Sequence, residues 1–196
     1  MPKATWFCVD IECSGPVPGL YDMLSIGVTV VKASGEGWTI GDSWYAEIAP
    51  TAPHVDPGAM KVNGLDLQQL RDHGQTMDEA LDGLDGFVAQ HLVDGTTAVF
   101  VGHNAPFDWS FVNYAYVACG RRNPFGYKAL DTKAYASGVL GLHWLDSNKE
   151  ELAVQLDLPE VETEKVHRAD YDAWYQAHIL VGLLARASSA SAPHRS

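Results

Sequence analysis

Asp10 and Glu12 close an otherwise apolar run, Trp6-Phe7-Cys8-Val9, with one residue between them. On a strand, residues i and i+2 point to the same side, which places the two carboxylates roughly 7 Å apart on one face. Left alone, such a pair repels and one acid tends to keep its proton. A divalent cation resolves the conflict, because hard oxygen ligands are what Mg2+ prefers. On this stretch alone two readings stand: a strand end with solvated acids, or half of a cation site. Two later stretches carry the same ambiguity. Asp108, in His103-Asn104-Ala105-Pro106-Phe107-Asp108, falls in the first turn of an expected helix, where the dipole favours a carboxylate whether or not it is a ligand. Asp172, in His167-Arg168-Ala169-Asp170-Tyr171-Asp172, lies about one turn inside the last expected helix; it is either a surface aspartate or a ligand.

The elements that must position these residues alternate between two periods. Residues 5–12 read as a short apolar strand. Leu24, Ile26, Val28 and Val30 alternate with Ser25, Gly27 and Thr29, the period-2 signature of a second strand. A turn over residues 33–37 leads to a third strand over 38–48, giving a meander. Residues 50–57 read as an irregular connection. Thr76 with Glu79 forms a capping box ahead of Met77, Leu81, Leu84, Phe87 and Val88 at helical spacing. A fourth strand is expected over 97–101, a helix over 107–119, a fifth strand over 127–130, and helices over 131–139, 147–156 and 169–186. Three antiparallel strands followed by βα units predict an α/β fold: one mixed five-stranded sheet flanked by helices, in a single domain over 1–187. Residues 188–196 are expected to be a disordered tail.

The chain has 196 residues and a net charge of −12. That balance disfavours tight, sequence-independent grip on duplex DNA, which calls for a basic surface, but leaves room for an enzyme that meets nucleic acid through metal ions. Three cysteines without a C-x-x-C pair predict a reduced, cytoplasmic protein rather than a disulfide framework. No apolar run suits a membrane span. No phosphate-loop motif or cysteine/histidine zinc spacing is present. His103, His54, His73, His91, His143 and His178 share no ligand spacing and read as structural or surface. Asp131-Thr132 reads as a helix start, and Arg121-Arg122 as an exposed helix-end pair.

Taken in order, Asp10-x-Glu12, His103-Asn104-x-x-Phe107-Asp108 and His167 ahead of Asp172 resemble the three motifs of the DEDD exonuclease superfamily, histidine type. Within it the middle of the chain resembles ribonuclease T and the polymerase III epsilon-like exonucleases: HNAPFDWSF, RRNPF at 121–125, Leu130-Asp131-Thr132, Ser137–Gly141 and Val62–Leu65. The resemblance implies a ribonuclease H-like fold and 3′→5′ hydrolysis of terminal phosphodiesters in single-stranded RNA or DNA. It further implies a site of Asp10, Glu12, Asp108 and Asp172 holding two Mg2+ ions, with Mn2+ able to substitute. His167 would be the general base, suited by a side-chain type that changes charge near neutral pH. Ile11, Cys13, Asn104 and Phe107 would border the substrate, and the ribonuclease T-like group points to a homodimer. The chain departs from that pattern at Cys13, where relatives often carry threonine, and at Pro16, where ribonuclease T has an aromatic. Competing readings are a proofreading exonuclease serving a polymerase, a catalytically silent binding module, and an endonuclease on the same fold; the intact acids and the motif order disfavour the last two.

Overall fold

The computed structural model describes residues 3–35 and 37–190. Five strands, β1 (Ala4–Cys13), β2 (Met23–Ser34), β3 (Gly37–Glu47), β4 (Thr97–Gly102) and β5 (Ala129–Asp131), form one sheet in the order β3-β2-β1-β4-β5. The β3-β2-β1 meander is antiparallel, and β4 and β5 run parallel to β1. The expected mixed sheet is therefore the observed one.

The central strand shows why the sheet is a sandwich filling. Phe7, Val9, Ile11 and Cys13 pack on one side with Ala80, Leu81 and Leu84 of α3 (Met77–His91) and Phe111, Val112 and Ala115 of α4 (Pro106–Ala118). Cys8 faces the other side, against Ala177 and Leu180 of α7 (Ala169–Ala190). Asp10 and Glu12 continue the α7-facing register of Cys8, as the period of two requires.

α7 can lie close to the sheet because its contact stripe is small: Ala169, Ala173 and Ala177 are all fully buried. The closest approach is at Gly27, which pairs with Asp10 across β1 and β2; a Cβ there would sit 2.1 Å from the Ala169 carbonyl oxygen. Any side chain at Gly27 would push away the start of α7, and with it the acid that start carries. α5 (Thr132–Leu140) and α6 (Lys149–Leu156) pack with α7 around Leu152, Tyr175, Ile179 and Leu183.

The capping box at α3 forms as expected, with the Thr76 N–H donating to Glu79 Oε2 at 2.8 Å and the Glu79 N–H to Thr76 Oγ1 at 3.3 Å. Two helices were not expected: α1 (Pro57–Asn63) and α2 (Leu67–His73), capped by Asp56 and Asp66. At seven residues each they are too short for helical periodicity to register. α7 continues to Ala190, so residues 188–190 extend the helix instead of starting a tail, and 191–196 lie outside the described residues. Among the described residues, no helix is long and apolar enough to cross a membrane.

Candidate active site

The ladder between β1 and β4 ends at Cys8 and Val101, so the last residues of β1 have an open edge on that side. α4 uses it. After β4, the loop 103–105 turns through Asn104 at φ +66°, and Pro106 opens the helix that carries Asp108. Asp108 Oδ1 then accepts the Ile11 N–H at 3.1 Å, which ties the second motif to the residue between the first two acids. The turn itself is held by Asp131, whose Oδ1 accepts from the Asn104 N–H at 2.9 Å and, as the cap of α5, from the Lys133 N–H at 3.1 Å. Asp131 is a helix start, as the sequence predicts. His103 is likewise structural, with Nδ1 2.9 Å from Thr132 Oγ1.

Asp172 arrives from the opposite layer, in the first turns of α7, and is 2 % exposed. Its Oδ2 accepts the His167 N–H at 2.8 Å. This bond fixes a backbone turn in which His167 takes φ +66°, a conformation in which histidine, asparagine and aspartate are enriched among non-glycine residues. The His167 residue is exposed while Asp172 is not. One ligand atom from each of Glu12, His167 and Asp172 lies within 4.8 Å of the others. Asp10 is oriented by Gln176, one turn beyond Asp172, whose Nε2 donates to Asp10 Oδ1 at 2.7 Å. Finally, the Lys149 ammonium lies 2.6 Å from Asp172 Oδ1.

The electrostatics follow from crowding acids into a dry place. Burial pushes Glu12 up to about 8, helped by repulsion from Asp172 and Asp108. Burial also raises Asp108, to about 7, against the lowering effect of the Ile11 N–H. Asp10 is raised well above the ordinary carboxylate range by burial and by Asp108, Asp172 and Glu12. For Lys149, burial acts downward, but Asp10, Asp172 and Asp108 outweigh it and the net direction is up.

These shifts fix a stability trend. A carboxyl group raised in the folded state holds a proton that the unfolded chain has released, so stability falls as pH rises toward the folded value. For Glu12 that window runs from its ordinary 4.5 to about 8. His91, His103 and His178 are lowered, first of all by burial, and oppose this trend only below about pH 7. Between about pH 7 and 9 in EDTA the melting temperature is therefore expected to fall by about 3–6 °C, corresponding to about 1–2 kcal/mol. A scanning-calorimetry series that stays flat or rises across this interval would contradict the crowding of these acids.

The structure thus brings Asp10, Glu12, Asp108, His167 and Asp172 to the exit of β1. Asn104 is exposed and Phe107 half-buried beside Asp108, with the Phe107 ring 5.4 Å from that of Phe111. Ile11 and Cys13 differ: strand alternation turns them to the face opposite the acids, where they join the core. Cys13 is buried, and burial first of all pushes its thiol up to about 11. Arg121 is committed within the protein, to Asp82 at 2.6 Å and Asp85 at 2.7 Å on α3. Sequence reasoning missed Lys149 and Gln176. Both had a signal: Lys149 follows the cap Asn148, where a cation opposes the helix dipole, and Gln176 is a polar residue among the buried alanines of α7.

A mixed β3-β2-β1-β4-β5 sheet flanked by helices, with acids gathered at the end of its central strand, is a ribonuclease H-like fold. Comparison with known proteins gives the family. The exonuclease family (RNase_T) matches residues 7–180. The 3′-5′ DNA exonuclease Cap18 of Escherichia coli is 37% identical over 177 residues, 90% of each chain. A ribonuclease T of Photorhabdus laumondii is 34% identical over 141 residues, 68% of this chain and 64% of its own. Among solved structures, the nuclease domain of 3′hExo, a DEDDh family member bound to rAMP, superposes with a TM-score of 0.72 at 13% identity, over 93% of this chain and 91% of that one. The chain belongs to the exonuclease family and is a 3′→5′ exonuclease acting on nucleic acid.

Proposed function

We propose that this protein removes nucleotides stepwise from single-stranded 3′ ends, with Asp10, Glu12, Asp108 and Asp172 holding two divalent ions and His167 acting as general base. The observation that carries the reading is the convergence of four acids from β1, α4 and α7 on one spot beside an exposed histidine. The donor set fits the metal. Carboxylate oxygens suit Mg2+, with Mn2+ able to replace it, and the burial and mutual repulsion that raise Glu12, Asp108 and Asp10 are what a bound cation would offset. The exonuclease family is divalent-metal dependent. Two such ions supply activation of the attacking water and stabilisation of the leaving oxygen.

The remaining work falls to the chain. Asp108 is fixed by the Ile11 N–H, Asp10 by Gln176 and Asp172 by the His167 N–H, so the acids are oriented before substrate arrives. His167, on the exposed rim, takes the proton of the water that attacks the terminal phosphorus. The bond from phosphorus to the 3′ oxygen breaks, releasing a nucleoside 5′-monophosphate and a strand with a new 3′ hydroxyl. Asn104 and Phe107 border the terminal nucleotide, Phe107 offering a ring to a base. Single-stranded ends suit a chain of net charge −12, which lacks the cationic excess for gripping a duplex. DNA is the favoured substrate, because the relative matched over 90% of both chains is named a DNA exonuclease.

The test uses 3′- and 5′-labelled single-stranded DNA and RNA with Mg2+ or EDTA. Stepwise shortening from the 3′ end that stops in EDTA is expected, faster on DNA. Cleavage that persists in EDTA, or internal cuts without 3′ shortening, would refute the reading.

A further inference from the structure

Lys149 stands where a lysine is electrostatically misplaced on local grounds. It is the first residue of α6, directly after Asn148, whose side chain accepts the Glu151 N–H at 2.8 Å to cap the helix. A helix start disfavours cations, and the two residues that follow, Glu150 and Glu151, are the acids that such a position favours. Its ammonium is nonetheless carried inward to 2.6 Å from Asp172 Oδ1, with side-chain exposures of 18% and 3% for the two partners. Burying an ammonium is unfavourable unless it is paired, so the acid cluster is what holds it there.

The consequence lies in what this bond occupies. Asp172 Oδ2 is engaged by the His167 N–H and Oδ1 by Lys149, so both oxygens of the acid that completes the Glu12–His167–Asp172 group have partners. Four carboxylates with one ammonium leave three negative charges; two divalent ions would turn that balance into one positive. The ammonium therefore does part of the work of a metal ion in the metal-free protein and becomes surplus when the ions load. We propose that Lys149 is a resident cation of the site, holding Asp172 until divalent metal displaces it and so setting the metal concentration at which the enzyme loads. The inference rests on the metal-site reading above, and makes Lys149 a positioning residue that tunes metal affinity rather than one that reacts.

Lys149→Met keeps the aliphatic stem and removes the charge. Mn2+ titrated calorimetrically into the metal-free wild type and the variant at about pH 8 is expected to bind the variant at least about tenfold more tightly, since a like charge has left the site. A gain in affinity is a readout that mere structural damage would not produce. No Mn2+ binding by the wild type would overturn the metal-site reading itself. Wild-type binding with equal or weaker binding by the variant would overturn the role of Lys149 alone. Should the variant not fold, the wild type decides: Mn2+ is expected to accelerate acylation of Lys149 by an amine-reactive ester, followed by mass spectrometry. Unchanged or slower acylation would overturn the proposal.

Discussion

Asp10→Asn is expected to abolish 3′-end hydrolysis and yet to melt higher than the wild type in EDTA. The two effects have one cause. The Asp10 carboxyl is raised well above its ordinary range by burial and by three neighbouring acids, so in the metal-free protein its charge is a liability. An amide of the same shape keeps an oxygen for the Gln176 Nε2, now 2.7 Å from Oδ1, while removing a charge from the cluster. At a pH where the wild-type group is ionised, relief of one repulsive buried charge is worth about 2 kcal/mol, or about 4–8 °C in melting temperature. Activity moves the other way, because the amide cannot replace the anionic ligand that the proposed ions require. A functional site that trades stability for chemistry behaves in this manner. Calorimetry in EDTA and the 3′-labelled strand assay with Mg2+ measure both halves. A variant with wild-type activity would remove Asp10 from the proposed site, and one that melts lower would mean that the acid is structurally paired rather than crowded.

How much of this was legible beforehand differs by residue. Asp10 and Glu12 were readable because the strand period is two and their side is fixed by a single local rule. The same rule, carried one step further, puts Ile11 and Cys13 on the opposite face; the resemblance named them as substrate contacts, while the strand geometry turns them into the core. Asp108 and Asp172 were individually ambiguous, since nothing local separates a helix-start acid from a ligand; only their long-range meeting with β1 does so. Gln176 and Lys149 carried a local signal, a polar residue among buried alanines and a cation at a helix start, but what each one meets stayed hidden for the same reason. Whether a polar residue within a helix is solvated or aimed at an acid more than 20 positions away depends on packing, here on how closely Gly27 lets α7 approach β2. The fold was legible where elements are long, in β1 to β3, α3 and α7, and not in α1 and α2, whose stability rests on aspartate caps and tertiary contact rather than periodicity.

His167→Asn is expected to lower kcat by about 10²–10⁴ while leaving divalent-metal affinity within a small factor of the wild type. Asparagine is the informative replacement. The backbone at position 167 sits at φ +66°, where asparagine is tolerated and alanine is strained, and the turn must persist because its N–H holds Asp172 Oδ2 at 2.8 Å. The substitution therefore removes the imidazole and keeps the bond that orients the acid. It also separates two roles that the geometry allows, since His167 lies within 4.8 Å of Glu12 and Asp172 and has a nitrogen to offer either a proton or a cation. A base lost at saturating metal lowers kcat and flattens the acid limb of the pH–rate profile, because protonation of the wild-type imidazole is what stops it accepting a proton. A ligand lost would instead weaken Mn2+ binding in calorimetry, with activity recovered at high metal concentration. Near-normal kcat with an unchanged acid limb would remove the general-base role, and weakened binding with metal-rescued activity would make His167 a ligand.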